Sequence, residues 1–589
     1  MTTKKFQKIL IANRGEIAVR VIRACREMGI ASVAVYAADD RAGLHVRLAD
    51  EAYALGEGSL RETYLNGDLL RQIAIQAGAQ AIHPGYGFLS ENADFARSCG
   101  TDGLVFIGPK PEVIAAMGLK VQARQIMADA GVPVVPGSAE AVTTSAEVSA
   151  FAQQYGYPVA VKASAGGGGK GLRVVTGAAG IKEALEGAQR EAQAYFGNPA
   201  VYLEKYLPAP RHVEVQVFGD QHGHLVHLGE RDCSLQRRHQ KVMEEAPAPY
   251  LPAEVRQRLC EAALKGAGAI GYSNAGTLEF LVQGNDFYFL EVNTRLQVEH
   301  PVTEMVTGLD LVKAQIKVAA GEPLPWRQED ICWRGHALEC RINAEDAARN
   351  FRPASGRVTA YETPGGPGVR VDGAAYAEWL LPSTYDSLIA KLVTWGEDRQ
   401  EAWERMQRAL AEYRIEGIVT NIPFHQWSMA QPALREGRYD TGFLAREFQA
   451  STLTAASPAD DSPENLPTTR SFAVEVNRRL FQVQVRDLDQ PAAAVPAGNP
   501  HATAPRRSRV GRKAAAGQGD KVIRAPLSGS IVRIHAQPGD QVTAGAALMV
   551  LEAMKMENDI PAPASGKIKE LAVAVGDRVA AGAVLAVLE

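Results

Sequence analysis

The chain has 589 residues, 46% hydrophobic and 22% charged, which suits roughly four domains of an ordinary globular protein. Lys and Arg total 63 against 67 Asp and Glu, and a net charge of −4 points to neither nucleic acid nor a membrane as partner. Cys25, Cys99, Cys233, Cys260, Cys332 and Cys340 show no CxxC pair or His/Cys ligand spacing, and no stretch is apolar for long enough to span a bilayer. The N-terminal MTTKKFQKILIANRGEIAVRV has charges on both sides of a very short apolar run and fits no signal peptide, so reduced, mostly buried thiols in a cytoplasmic protein are expected.

From Met1 to about Glu447, apolar runs alternate with amphipathic helical patterns, as in α/β and α+β domains. ANRGEI (Ala12–Ile17) reads as the strand–turn–helix of a doubly wound sheet. The segment YPVAVKASAGGGGKGLR (Tyr157–Arg173) opens as a strand bearing Lys162 and then loses its side chains at Gly166, Gly167, Gly168 and Gly169. Four glycines cost conformational entropy and add nothing to packing. They make sense as a lid whose backbone N–H groups close over phosphate, although a plain flexible loop has the same composition. The run matches neither GxxxxGK[ST] nor GxGxxG.

Further on, GTLEFLV (Gly276–Val282) and FYFLEVN (Phe287–Asn293) alternate as two strands joined at Gly284-Asn285-Asp286. A hairpin centred on Asn285 sets Glu279 opposite Glu291, and the strand period puts Asn293 on the face of Glu291. Carboxylates directly across a sheet repel each other. A divalent cation removes that repulsion, and hard oxygen ligands suit Mg²⁺ bridging ATP phosphates. A solvated acidic face is the alternative, set against aromatic and aliphatic neighbours.

After Glu447 the texture changes. Residues 451–469 are polar and proline-bearing, Phe472–Val485 alternates like a hairpin turned at Asn477-Arg478, and Asp489–Asp520 is an Ala/Pro/Gly-rich linker. Its basic PRRSRVGRK is either a docking patch or solvated linker, and a flexible chain of this length spans about 30 Å. An internal repeat follows: Ala525–Glu552 and Ala562–Glu589 match at a constant offset (562 − 525 = 37), with Gly539-Asp540 on Gly576-Asp577 and Gly545 on Gly582. Two such halves can bury one apolar face as a small sandwich with pseudo-twofold symmetry. Met554-Lys555 falls on the turn between them.

With that repeat around it, AMKM resembles the attachment site of biotin carboxyl carrier domains, whereas lipoyl domains of the same fold usually carry Asp-Lys-Ala there. In the large part, HPGYGFLSEN (His83–Asn92), RDCSLQRRHQK (Arg231–Lys241), EVNTRLQVEHPVTE (Glu291–Glu304) and GHALECRINAED (Gly335–Asp346) resemble the ATP-grasp biotin carboxylases over about residues 5–447. The whole chain is similar to the α subunits of bacterial acetyl-/propionyl-CoA-type carboxylases. One departure is Ala165, where many relatives have another glycine.

The resemblance implies an N-terminal pre-ATP-grasp domain (1–119), an ATP-grasp domain with a Gly-rich lid (120–330), a C-terminal α+β domain (331–447), a linker with a short hairpin (448–520) and an all-β biotinyl domain (521–589). It implies biotin on Lys555, placed there by a biotin-protein ligase, with ATP, and with Mg²⁺ or Mn²⁺ on Glu279 and Glu291 assisted by Asn293. Lys120 and Lys162 would hold ATP phosphates beneath the lid. Glu204, Lys205 and Leu207 would line the adenine pocket, with His212, Gln236 and His239 on ribose and phosphates. Arg295, Gln297 and Val298 would hold bicarbonate, Glu299 would be its general base, Lys241 would contact the reacting anion, and Arg341 would stabilise the biotin enolate.

This set fits the chemistry, because bicarbonate is a poor electrophile and the ureido nitrogen of biotin a poor nucleophile. ATP converts bicarbonate to carboxyphosphate, which requires a base and offsetting positive charge, and a closed lid protects the labile intermediate from water. The acceptor-carboxylating half is expected on a separate carboxyltransferase β subunit, with a carboxylase homodimer inside a larger hetero-oligomer. Three alternatives stay open: a pyruvate or other non-CoA acceptor, a lipoyl-type acyl carrier, and a non-catalytic scaffold.

Overall fold

The computed structural model describes residues 6–138, 140–163, 172–196, 199–453, 469–476, 479–486, 522–526, 529–553, 556–579 and 582–589. Two compact units result, one essentially residues 1–455 and the other essentially residues 456–589.

The first unit begins with a parallel sheet of β1 (Lys8–Ile11), β2 (Ala31–Ala37), β3 (Glu51–Gly56), β4 (Ala81–His83) and β5 (Val105–Phe106), in the order β3-β2-β1-β4-β5. Ile9, Leu10 and Ile11 are all buried, as in a central strand covered on both faces. The strand order reverses between β1 and β4, and a doubly wound sheet opens a crevice at the carboxyl ends of such strands. The loops that meet there are tied together, since Asn13 Nδ2 donates to the carbonyls of Pro84 (2.7 Å) and Tyr86 (2.8 Å). The helix Gly15–Glu27 leaves the same crevice.

A small antiparallel sheet follows, with β6 (Val159–Ala163) between β7 (Leu172–Val175) and β8 (Val201–Lys205). The glycine run lies outside the described residues. The largest sheet has eight antiparallel strands: β9 (Arg211–Gly219), β10 (Leu225–Arg237), β11 (Gln240–Ala246), β12 (Asn274–Gln283), β13 (Asp286–Asn293), β14 (His336–Asn343), and strands Val369–Gly373 and Leu388–Gly396. Their order is β13-β12-β9-β10-β11-β14 and then Leu388–Gly396 and Val369–Gly373. The β11–β14 pairing carries this sheet unbroken across residues 330/331.

The hairpin that carries Glu279 and Glu291 differs in detail from the sequence expectation. Its turn is the two-residue Gly284-Asn285, because Gln283 pairs with Asp286. Leu290 is an extra residue on β13, and this bulge shifts the register so that Glu279 does face Glu291.

In the second unit, strands Thr469–Val476 and Arg479–Arg486 form the expected antiparallel hairpin, slightly longer than its sequence bounds. The repeat forms a sandwich of two four-stranded sheets. One sheet orders Val522–Arg524, Val584–Leu588, Gly566–Leu571 and Gln541–Val542; the other orders Met556–Pro561, Ala547–Ala553, Gly529–Ile534 and Arg578–Val579. Each sheet therefore takes two strands from each half, and the offset of 37 maps one sheet onto the other. The matched turns are built alike. Gly539 (φ 100°) and Gly576 (φ 98°) both need the left-handed region, and Asp540 and Asp577 each accept from a backbone N–H three residues back, of Gln537 and Ala574. Lys555 lies outside the described residues; the strands flanking it end at Ala553 and begin at Met556.

Among the described residues five cysteines are buried and Cys332 is exposed, all as free thiols. No described helix is long and apolar enough to cross a membrane.

Candidate active site

A cavity of about 880 Å³ opens between the β6–β8 sheet, the eight-stranded sheet and the crevice at β1 and β4. Except for the lid glycines and Lys555, every residue singled out from the sequence lines it: Lys120, Lys162, Glu204, Lys205, Leu207, His212, Gln236, His239, Lys241, Glu279, Glu291, Asn293, Arg295, Gln297, Val298, Glu299 and Arg341.

At the end formed by β6 and β8, the Lys162 ammonium pairs with Glu204, which also accepts from Arg124 (2.5 Å). Lys205 Nζ donates to the Tyr155 carbonyl. Gln236 Nε2 lies 2.7 Å from His212 Nδ1. His239 occupies the two-residue turn between β10 and β11, where it and Arg238 both take positive φ.

At the other end, alternation along five strands turns charged side chains toward one face of the large sheet. Lys241 Nζ donates to Glu214 (2.5 Å), Glu299 (2.7 Å) and Glu279 (2.8 Å). Arg231 bonds the far side of Glu214, and Arg341 donates to Glu299 (2.9 Å) and Glu244 (2.7 Å). Burial works against a charge on Glu299, but Lys241, Arg341 and Arg231 outweigh it and hold the carboxyl well below the usual range. Glu244 behaves oppositely: burial, with the like charge of Glu299, pushes it up to about 7. The guanidinium of Arg295 is fixed by Glu91 (2.8 Å), Gln297 (2.7 Å) and Asn293 (3.0 Å), and Gln297 Nε2 donates back to Glu279. Arg295 and Gln297 are thus cross-braced to Asn293 and Glu279.

The residues also fit a divalent cation. Glu279 is held anionic against burial by Lys241 and His212, whereas burial and the charge of Glu279 raise Glu291. The near cation to Glu291 is Lys120, at 3.6 Å. A cation between the two carboxylates would relieve that like-charge pairing with hard oxygen donors. Two other clusters, His212–Glu214–Glu279 and Glu214–Cys233–Glu299, bring donor atoms within 4.8 Å. They fit less well, because Arg231 and Lys241 already occupy Glu214, and burial keeps the Cys233 thiol protonated.

Sequence reasoning missed the supports of this site: Glu91, Glu214, Arg231 and Glu244. Only Glu214 left a local signal, a charge at an alternate position of an otherwise apolar strand in VEVQV (Val213–Val217), where Glu214 and Gln216 share a face.

The fold and the cleft define an ATP-dependent ligase of ATP-grasp architecture joined to a small carrier sandwich. Family models match accordingly: "Biotin carboxylase, N-terminal domain" over residues 5–114, "Carbamoyl-phosphate synthase L chain, ATP binding domain" over 120–327, "Biotin carboxylase C-terminal domain" over 339–446, and "Biotin-requiring enzyme" over 521–588. The biotin-dependent acyl-coenzyme A carboxylase alpha3 subunit of Mycobacterium leprae is 46% identical over 567 residues, 95% of this chain and 94% of that relative. A pyruvate carboxylase subunit of Methanothermobacter thermautotrophicus is 54% identical over 439 residues, 74% of this chain and 89% of its own. The biotin carboxylase domain dimer of Hydrogenobacter thermophilus 2-oxoglutarate carboxylase, solved with MgADP, ADP and bicarbonate, superposes with a TM-score of 0.69 at 48% identity, over 75% of this chain and 97% of that one.

The chain belongs to the biotin carboxylase family, as a biotin carboxylase joined to its biotin carrier domain, and is a homologue of acyl-CoA carboxylase α subunits. Its activity is ATP-dependent carboxylation of biotin, and its cofactors are biotin, ATP and Mg²⁺.

Proposed function

We propose that this chain carries out the first half-reaction of an acetyl-/propionyl-CoA-type carboxylase and passes the carboxyl group to a separate carboxyltransferase subunit. One observation carries this reading: the M. leprae acyl-CoA carboxylase subunit matches the carboxylase, the intervening region and the carrier together, whereas the pyruvate carboxylase subunit matches 74% of the chain. The higher identity of the latter, 54%, favours a second reading with a 2-oxo acid acceptor.

Glu299 is the general base. Lys241 and Arg341 keep it ionised, so it accepts the bicarbonate proton on a carboxylate oxygen at neutral pH. Arg295, Gln297 and Val298 hold the anion, and Lys241 adds positive charge where negative charge develops. Glu279, Glu291 and Asn293 would hold Mg²⁺ or Mn²⁺, which supplies charge neutralisation for ATP phosphates. Lys120, Lys162 and residues 166–169 bind those phosphates, and Glu204, Lys205, Leu207, His212, Gln236 and His239 take the nucleoside end. Lys162 leaves Glu204 for the nucleotide when ATP binds. Arg341 supplies positive charge beside Glu299 for the second partner, biotin, whose ureido nitrogen accepts the carboxyl group.

Lys555 is the attachment point and a biotin-protein ligase the enzyme that loads it. The carboxylase forms a homodimer within a larger assembly; the H. thermophilus relative was solved as a dimer. The test is acceptor choice: the native complex, captured through its biotin, receives ATP, Mg²⁺ and labelled bicarbonate with acetyl-CoA, propionyl-CoA, longer acyl-CoAs or pyruvate. Label on an acyl-CoA names the acceptor, and label on pyruvate overturns the acyl-CoA reading.

A further inference from the structure

Lys391 stands in mid-strand in Leu388–Gly396, opposite Arg341 on one neighbouring strand and Asp372 on the other, and its side chain has no solvent exposure. An ammonium that deep requires partners. Nζ lies 3.2 Å from the carboxylate of Glu16, itself buried in the first turn of the helix Gly15–Glu27, and donates to the main-chain carbonyl of Val298 at 3.0 Å. Of the other carboxyls facing it, Asp372 is bonded by Arg370, and burial holds Glu339 well above the carboxylate range with no hydrogen-bond partner for either oxygen. Burial also raises Glu16, to about 7, against the pull of Lys391, so Glu16 meets Lys391 as an ion contact and not as a hydrogen bond.

The Val298 carbonyl and the Glu299 N–H belong to one rigid peptide plane. Fixing that carbonyl fixes the backbone of Glu299, which leads into the helix His300–Thr307. Lys241 and Arg341 hold the Glu299 carboxylate from the cavity side, and Lys391 holds its peptide from behind. We propose that Lys391 is a positioning residue for the bicarbonate segment Gln297–Glu299, with Glu16 as its counter-ion, so that the first helix, the strand Leu388–Gly396 and the reactive loop move as one body.

This inference rests on reading Glu299 as the general base. It predicts a loss specific to bicarbonate, because the nucleotide contacts come from other strands. Losing one hydrogen bond from a charged donor corresponds to about a 10- to 100-fold fall in kcat/KM.

The test is bicarbonate-dependent ATP cleavage by the full chain, with bicarbonate and ATP varied separately. Lys391→Met leaves Glu16 buried and unpaired, so the double variant Glu16→Gln/Lys391→Met, which removes both charges, is the decisive one. Expected are a fall of about 10- to 100-fold in kcat/KM for bicarbonate and an unchanged KM for ATP, with Lys391→Arg restoring part of the bicarbonate term. Wild-type bicarbonate kinetics in the double variant, or equal losses for bicarbonate and ATP, overturn the inference. Glu299→Gln runs beside it: wild-type turnover there removes the general-base reading itself, whatever Lys391 does.

Discussion

The eight-stranded sheet and the carrier sandwich bury opposite things. In the sandwich every buried side chain described is apolar, among them Ile531, Leu548, Leu551, Ile568 and Leu585. In and beside the large sheet, Glu214, Arg231, Glu244, Glu299 and Lys391 are buried, with Lys241 and Arg341 half-buried at the cavity. An apolar core is stabilised by area removed from water and tolerates modest changes of shape. A buried charge network stabilises little on balance, yet removing one member leaves its partner charged and dry. One region is built to persist as a small independent body; the other keeps charges where a reaction needs them.

The sharpest break of this contrast is at Lys555. Lys555→Arg keeps the charge and the sandwich but should end retention of labelled carboxyl groups on the chain, while carboxylation of free biotin continues. Label retained on that variant would move the attachment point elsewhere. Glu299→Gln should lower bicarbonate-dependent ATP cleavage by about 10²- to 10⁴-fold, with ATP binding, followed calorimetrically, nearly intact.

Stability should separate the regions next. Arg231→Met leaves one oxygen of the buried Glu214 without its partner, Lys241 keeping the other, and should cost about 3–5 kcal/mol of carboxylase stability. Leu548→Ala should cost about 2–5 kcal/mol of carrier stability by opening a cavity. Calorimetry of the full chain should resolve a carboxylase and a carrier transition, each variant lowering one of them; a shared shift would show that the two regions unfold together.

The most gradual effect is that of pH on the carboxylase. Burial draws His45 and His425 down from 6.5 to about 4, and His83 to about 3. As pH falls below 6.5 the unfolded chain takes up these protons before the folded one, so the histidines' contribution to stability is complete above pH 7 and declines from 6.5 toward 4, while Glu16 and Glu244, raised to about 7, contribute in the opposite direction. The carrier strands hold no buried histidine among the described residues, so their transition should move less over that window.

The sequence carried the repeat in full, because glycines with positive φ and Asp-stabilised turns leave fixed marks 37 residues apart. It could not say how the halves interleave, since each strand pattern is satisfied by any partner sheet of matching face. It carried the opposition of Glu279 and Glu291 through strand period, but placed the turn one position off, because a bulge at Leu290 restores the register that a two-residue turn would have lost.

Motif residues such as Arg295, Glu299 and Arg341 were legible from resemblance to a family, and the large sheet then brings them to one end of a cavity. Their supports were not legible: Glu91 reaches Arg295 across 204 positions of sequence, and Lys391 reaches Val298 across 93. Local chemistry, meaning turn residues, alternation and the identity of reactive groups, is written in neighbouring residues and was determined by the sequence itself. Which buried charge compensates which was decided only by the tertiary structure, because Coulomb attraction in a dry interior depends on distance in space and the chain order does not encode it.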